Sequence, residues 1–401
     1  MGRTSLMMVL GFSVMLMLMG YNLSYVSTEA YQNYQQYYNR TTSHNLAAGF
    51  ANMGSQVIYR TPNARPRWIE RPLDGGTVSL WTDTLAQGRV RLTSTSNYMG
   101  YKDTVIIVWG QSKFSKFSYY SVVEGAINWA SKDTIYGPFH TQDKMTVNYN
   151  PVFWGKVTNK LGMTKNPSSS KPEFHAGYQT GINITMPTDF NPLKNAALSG
   201  GKYLRGKDVT ISFFGNGMMK IKVGAGAETV EKVSDYAPNG ALLIDSANVR
   251  IKGKFSGQLT LAVQNGGASN KGKVYFDSSV VYNDNPLTNP SSTDLLGICA
   301  DDSLVIVNNS YNAHDISIQA ALFSRTKGLG VEQYNNGVVR GRINLLGGVS
   351  QQQRAAVGTL SGGVVNSGYS KSYRYDQRLM NQSPPYYPTT GSYEILSWYE
   401  K

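Results

Sequence analysis

The chain has 401 residues, a formal net charge of +13, 41 glycines and a single cysteine. That length admits one large or two ordinary domains, the glycine content favours many turns, and the lone Cys299, expected as a small buried hydrophobe, excludes an internal disulfide. The cations are scattered singly, as at Lys202, Lys207, Lys220, Lys222, Lys252 and Lys254, with no basic run, zinc-finger spacing or aromatic RNA-binding string. Nucleic acid is therefore not an expected partner, and the charge reads as a solvated face suited to an anionic envelope polysaccharide.

From the N-terminus, Leu6–Tyr21 is one uncharged apolar run, and Leu23, Tyr25 and Val26 extend it. The run alone makes about 24 Å of helix at ~1.5 Å per residue, against a hydrocarbon core ~30 Å thick, so the extension completes a span with Tyr21 and Tyr25 near the headgroups. Arg3 and the amino group stand on one side, and the next charge is Glu29. That bias predicts a single-pass protein of the inner membrane with its body in the periplasm or at the cell surface. A cleaved secretory signal is the alternative, but Gly20-Tyr-Asn22 supplies no small-x-small cleavage site. Over Asn22–Arg60, the residues Tyr25, Ala30, Tyr34, Tyr37, Tyr38, Leu46, Phe50, Met53 and Val57 recur at three- and four-residue steps, which predicts a helix continuous with the anchor. A break near Gly49 or Gly54 is the other possibility.

Beyond Pro62 the pattern turns to strands. Thr77–Trp81, Gly88–Leu92 and Thr104–Trp109 lie between Gly and Asn turns. Phe117–Ser131 reads as a short amphipathic helix, and Asn159–Glu173, with two prolines and three serines, as a surface loop. From Gly206 onward short Val- and Ile-rich strands follow one another without helices: Asp208–Phe213, Met219–Val223, Gly240–Ile244, Asn248–Ile251, Gln258–Val263, Lys273–Phe276, Ser303–Val307, Asp315–Ala320 and Gly337–Leu346. The expected fold is mainly β: a long N-terminal transmembrane α-helix, then an elongated, parallel β-helix-like body, with a β-sandwich as the alternative. The expected divisions are 1–60 for anchor and helix, 61–205 for a mixed β-rich domain, 206–367 for the β-helix-like domain, and 368–401 for a Tyr- and Pro-rich C-terminal cap. Tyr393–Tyr399 is one more strand in that last segment.

Chemistry-bearing patterns are sparse. His140 sits between Asp133 and Asp143, a set that can be drawn as a metal or acid–base cluster. The Gly137-Pro138 turn before it favours an architectural role instead. His44, His175 and His314 form no HExxH pair, and Gly224-Ala-Gly-Ala lacks the Lys-Ser of a phosphate loop. Asp208, Asp245, Asp277, Asp284, Asp301 and Asp302 are acids of the kind a polysaccharide lyase or hydrolase places in pairs, but an Asp at a strand end also serves a turn. No catalytic, cofactor-binding or metal-ligating residue is expected, and no cofactor.

Three stretches carry a family resemblance. Asn45-Leu-Ala-Ala-Gly-Phe50, after an apolar N-terminal helix, resembles the Ala-rich helix segment of bacterial PilX-like minor pilins. Within Ser118–Phe153 and just beyond it, Gly137-Pro-Phe-His-Thr141 and Pro151-Val-Phe-Trp-Gly155 resemble paired elements of pilin-associated envelope proteins. Within Gly257–Ala300, Gly257-Gln-Leu-Thr-Leu261 and Asp294-Leu-Leu-Gly-Ile-Cys-Ala300 resemble corners of their β-helix-like bodies. The resemblance covers about two thirds of the chain. It implies a non-catalytic, membrane-anchored, filament-associated envelope protein whose partners are other pilin or secretion-filament subunits. A polysaccharide-binding protein, or a lyase or hydrolase on a β-helix, is the alternative.

Overall fold

A computed structural model describes residues 2–401 except Pro62, Ala86, Gln87, Lys132, Gly362 and Gly363. The chain divides into two compact units, Met1–Gln111 with Ser392–Lys401, and Ser112–Gly391.

In the first unit, α1 (Gly2–Arg60) is one uninterrupted helix of 59 residues, about 88 Å long at ~1.5 Å per residue. The chain then folds as an antiparallel meander of β1 (Trp68–Leu73), β2 (Gly76–Thr84), β3 (Val90–Tyr98) and β4 (Tyr101–Lys113), and the strand Thr389–Glu400 adds beside β4. Alternation places Val78 and Leu80, Val90 and Leu92, and Val105, Ile107 and Trp109 on one buried face. The C-terminal half of α1 covers that face with Leu46, Ala47, Phe50, Ala51 and Ile58. A continuous helix across Gly49 and Gly54 follows from this packing. A Cβ on Gly54 would fall 2.4 Å from Leu80 Cδ1 and 2.8 Å from Leu92 Cδ1, so the glycine lets the helix approach the sheet closely. Ser43 and Ser96 hydroxyls meet at 2.8 Å, and the Ser94 hydroxyl donates to the Ala47 carbonyl at 2.8 Å.

The second unit is wound from parallel strands. One ladder runs through Lys202–Arg205, Ala241–Asp245, Gln258–Gln264, Leu295–Ala300, Ile316–Ser324 and Val339–Gln353. It continues through Tyr119–Val123, Phe139–Thr141, Val157–Asn159 and Tyr178–Thr180. The coils are thus not stacked in chain order: Tyr119–Ser121 pairs with Val349–Gln351. A second ladder joins Val209–Gly215, Val249–Phe255, Val274–Tyr282, Leu304–Ile306 and Leu329–Val331, with the hairpin Met218–Val223/Glu228–Lys232 added antiparallel to its first strand. Between the ladders lies a continuous core that includes Ile211, Ile244, Ile251, Leu261, Phe276, Ile298, Ile306, Ile318 and Leu345. The strands of both ladders pair in parallel, which an antiparallel sandwich would not show, and the body is mainly β.

The first ladder is buried on its other face too. Leu243, Ala262, Cys299 and Phe323 are covered by Leu193, Ala196 and Ala197 of the helix Asn191–Gly200, and by Tyr375, Leu379 and Tyr387. Cys299 is fully buried, and burial pushes its thiol well above the usual range. Two expectations are corrected. Phe117–Ser131 is not a helix: Tyr119–Val123 is a strand with parallel partners on both sides, which satisfy its backbone as a helix would while packing its β-preferring Tyr and Val side chains. Asn159–Glu173 is not a plain surface loop, since Met163–Lys165 pairs with Met145–Val147 and Glu173–Phe174 with Val152–Phe153.

Candidate functional site

The most distinctive surface is the first half of α1. Gly2–Tyr38 is exposed throughout, and no charged residue lies between Arg3 and Glu29. Leu6, Met7, Phe12, Leu16 and Leu23 are all more than half exposed. The uncharged stretch 4–28 is about 37 Å long at ~1.5 Å per residue, enough to cross a ~30 Å hydrocarbon core. Thr28 returns its hydroxyl to the Ser24 carbonyl at 2.9 Å, one of the helical side-chain bonds tolerated in lipid. Farther along, exposed Tyr31, Tyr34 and Tyr37 and half-exposed Tyr38 extend the apolar character beyond the span, with Tyr34 and Tyr38 stacked at 6.3 Å. Met1, whose amine completes the cationic end expected from the sequence, lies outside the described residues.

The Gly137–Thr141 motif is a piece of coil architecture. Phe139–Thr141 pairs with Tyr119–Ser121 on one side and Val157–Asn159 on the other. A Cβ on Gly155 would fall 2.0 Å from the Gly137 carbonyl oxygen, so the two motif elements are successive coils in close contact. His140 is fully buried, its Nδ1 lies 2.8 Å from Thr158 Oγ1, and its ring stacks on Tyr120 at 5.4 Å. Burial depresses its pKa to about 4, which keeps the imidazole neutral. Asp133 and Asp143 do not join it: Asp133 accepts from the Ala130 N–H at 2.8 Å, and Asp143 from the Glu124 N–H at 2.9 Å. The other histidines are dispersed. His44 meets Asp103 at 3.1 Å, and His175 stacks on Trp154 at 4.0 Å. Among the described residues, no group of three or more His, Cys, Asp or Glu side chains is placed to hold a metal ion.

Most of the aspartates serve the corners between strands. Asp301 accepts from Arg325 and from the Asn265 N–H, and Asp302 pairs with Lys327 at 3.1 Å. Asp245 accepts from Tyr203 at 2.7 Å, Asp208 from Lys271 at 2.8 Å, and Asp284 from the Asn289 amide at 2.8 Å. Asp277 pairs with Arg250 at 2.8 Å. Asp277 lies within the strand Val274–Tyr282 and the other five stand at strand ends or corners, and each of the six has a polar partner.

Sequence reasoning did not single out a charged cluster in the interior. Glu124 and Arg354 are almost fully buried and pair at 3.1 Å. Glu124 also accepts from Tyr119 at 2.9 Å, from Trp129 Nε1 at 3.0 Å and from Ser121, while the guanidinium lies 4.1 Å from the Trp129 ring. The signal was a single carboxylate inside the otherwise uncharged stretch 117–131, but its cation is 230 residues away in sequence. An exposed stack of Tyr136, Trp154 and His175 was missed as well. Each follows one of the paired strands Thr134–Ile135, Val152–Phe153 and Glu173–Phe174, so register aligns the three rings.

No protein-family model matches the chain, and no curated protein matches it. Among solved structures it is similar to the competence-associated pilin ComZ from Thermus thermophilus, at 11% sequence identity and a TM-score of 0.38 over 90% of this chain and 97% of that one.

Proposed function

We propose that this protein is a non-catalytic, membrane-anchored, pilin-like subunit that presents a β-helix-like body outside the cytoplasm and assembles with other filament or secretion subunits. One observation carries the reading: a single helix is used in two ways. Its first half projects with an uncharged apolar surface long enough to cross a bilayer, and its second half is fastened to an antiparallel sheet. Such an apolar projection has no stable place in water and needs lipid or the same segment of neighbouring subunits to cover it. The engagement of each of the six aspartates by neighbouring cations, hydroxyls or amides supports a structural body over a hydrolase.

Carbonate extraction of membranes, protease treatment of spheroplasts and capture of surface filaments test the proposal together. The expected result is a carbonate-resistant protein, cleaved from outside and recovered with filament subunits. A protein released by carbonate, or one shielded from external protease, would overturn it.

A further inference from the structure

The second ladder turns Val209, Ile211, Phe213, Val249 and Ile251 inward, so the alternate residues face out. Register sets Thr210 between Lys222 and Arg250, and Ser212 between Lys220 and Lys252. Phe214 lies beside Lys254, and Met218 opposite Lys232. Cations scattered in sequence thus gather on one face. Strand geometry spaces Arg250, Lys252 and Lys254 by about 6.8 Å along their strand, with neighbouring strands about 4.8 Å away. Glu228 pairs with Lys220 and Asp277 with Arg250 on this face, and Asp208, Asp302 and Glu332 lie within electrostatic reach of Tyr275 beside Arg250. The balance stays positive.

We infer that this face binds an anionic polysaccharide, a chain bearing carboxylates and hydroxyls on its sugars. Charge complementarity argues for the polyanion, and the rows argue for the sugar. The rows through Thr210 and Ser212 read cation, hydroxyl, cation, which matches a ligand that alternates carboxylate with hydroxyl groups. Phe214, 53% exposed, offers a ring for the apolar side of a pyranose. Arg250 lies over Tyr275 at 5.1 Å and Lys252 over Tyr311 at 5.5 Å, contacts that steady the cations. The inference draws on the extracytoplasmic placement proposed above, but it is tested with purified protein, so its failure leaves the subunit reading standing.

The full chain in detergent is titrated with polygalacturonate, neutral dextran and duplex DNA at about 0.15 M salt. Polygalacturonate is expected to bind with an affinity that falls as salt rises, and dextran not to bind. Combined K220Q, K222Q, K252Q and K254Q should weaken polygalacturonate binding roughly ten-fold or more. A control with K156Q, K160Q, K165Q and K171Q carries the same net charge and should bind within about two-fold of the natural chain. If the combined variant melts early, K254E alone, at an exposed position, gives the same reading. Equal loss in the control, no loss in the face variant, or no binding by the natural chain would overturn the inference. So would duplex DNA that displaces polygalacturonate at matched charge, which would make the face a nucleic-acid surface.

Discussion

Glu124 and Arg354 hold opposite charges where water does not reach, and such a pair is worth most when one member is removed. Arg354→Met leaves a buried carboxylate without its cation and is expected to cost about 3–5 kcal/mol. Adding Glu124→Gln should recover most of that. Denaturant unfolding measures both, and a double variant as unstable as the single would show that the pair's charge is not the cause. His140 makes a second prediction at this scale. Its imidazole titrates near about 4 in the fold and near 6.5 when unfolded, so the unfolded chain binds more protons between those values. The stability this contributes is present above pH 6.5 and is lost as pH falls toward 4. The melting temperature should therefore drop on acidification through that window, and His140→Phe should flatten the slope. An identical slope in the variant would move the effect to other groups.

Among the elements, α1 depends on small residues where it meets its sheet. Gly54→Leu forces side-chain atoms against Leu80 and Leu92 and is expected to destabilise the first unit by about 1–3 kcal/mol. Thermal melting checks this, and an unchanged midpoint would mean that the helix shifts freely on the sheet. The helix was legible because Leu46 and Phe50 repeat at helical spacing. Its seam was not, because Ser43, Ala47, Ala51 and Ser55 recur at four-residue steps without adding apolar signal. The strands after Gly206 were legible from Val and Ile bounded by Gly, Asn and Asp. Tyr119–Val123 was not, since its aromatic pattern fits a helix face as well as a strand, and the partner that decides between them is Val349–Gln353. For the same reason the basic face was visible in sequence only as separate lysines: parallel pairing between Thr210 and Arg250, forty residues apart, is what makes it a face.

At the level of the whole molecule, the last segment is built into both units. Val364–Arg374 pairs with Val339–Gln353, Tyr375 and Tyr387 are buried over the first ladder, and Thr389–Glu400 lies beside β4. Truncation after Ser367 should therefore expose Cys299 and Phe323, leave β4 as an edge strand paired only with β3, and yield aggregated protein. A soluble product with the body's melting transition intact would show the segment to be dispensable.

The pairing of Tyr119–Ser121 with Val349–Gln351 also dictates a timetable. A chain emerging N-terminus first delivers one edge of that joint more than two hundred residues before the other. Until then Tyr119–Val123 is an open strand edge, the kind that recruits the wrong partner, and closure over so long a separation is intrinsically slow. The body can finish folding only once its C-terminal part has been delivered. Its late-closing joint, more than any single coil, is then the point at which a nascent copy is most exposed to misassembly with its neighbours.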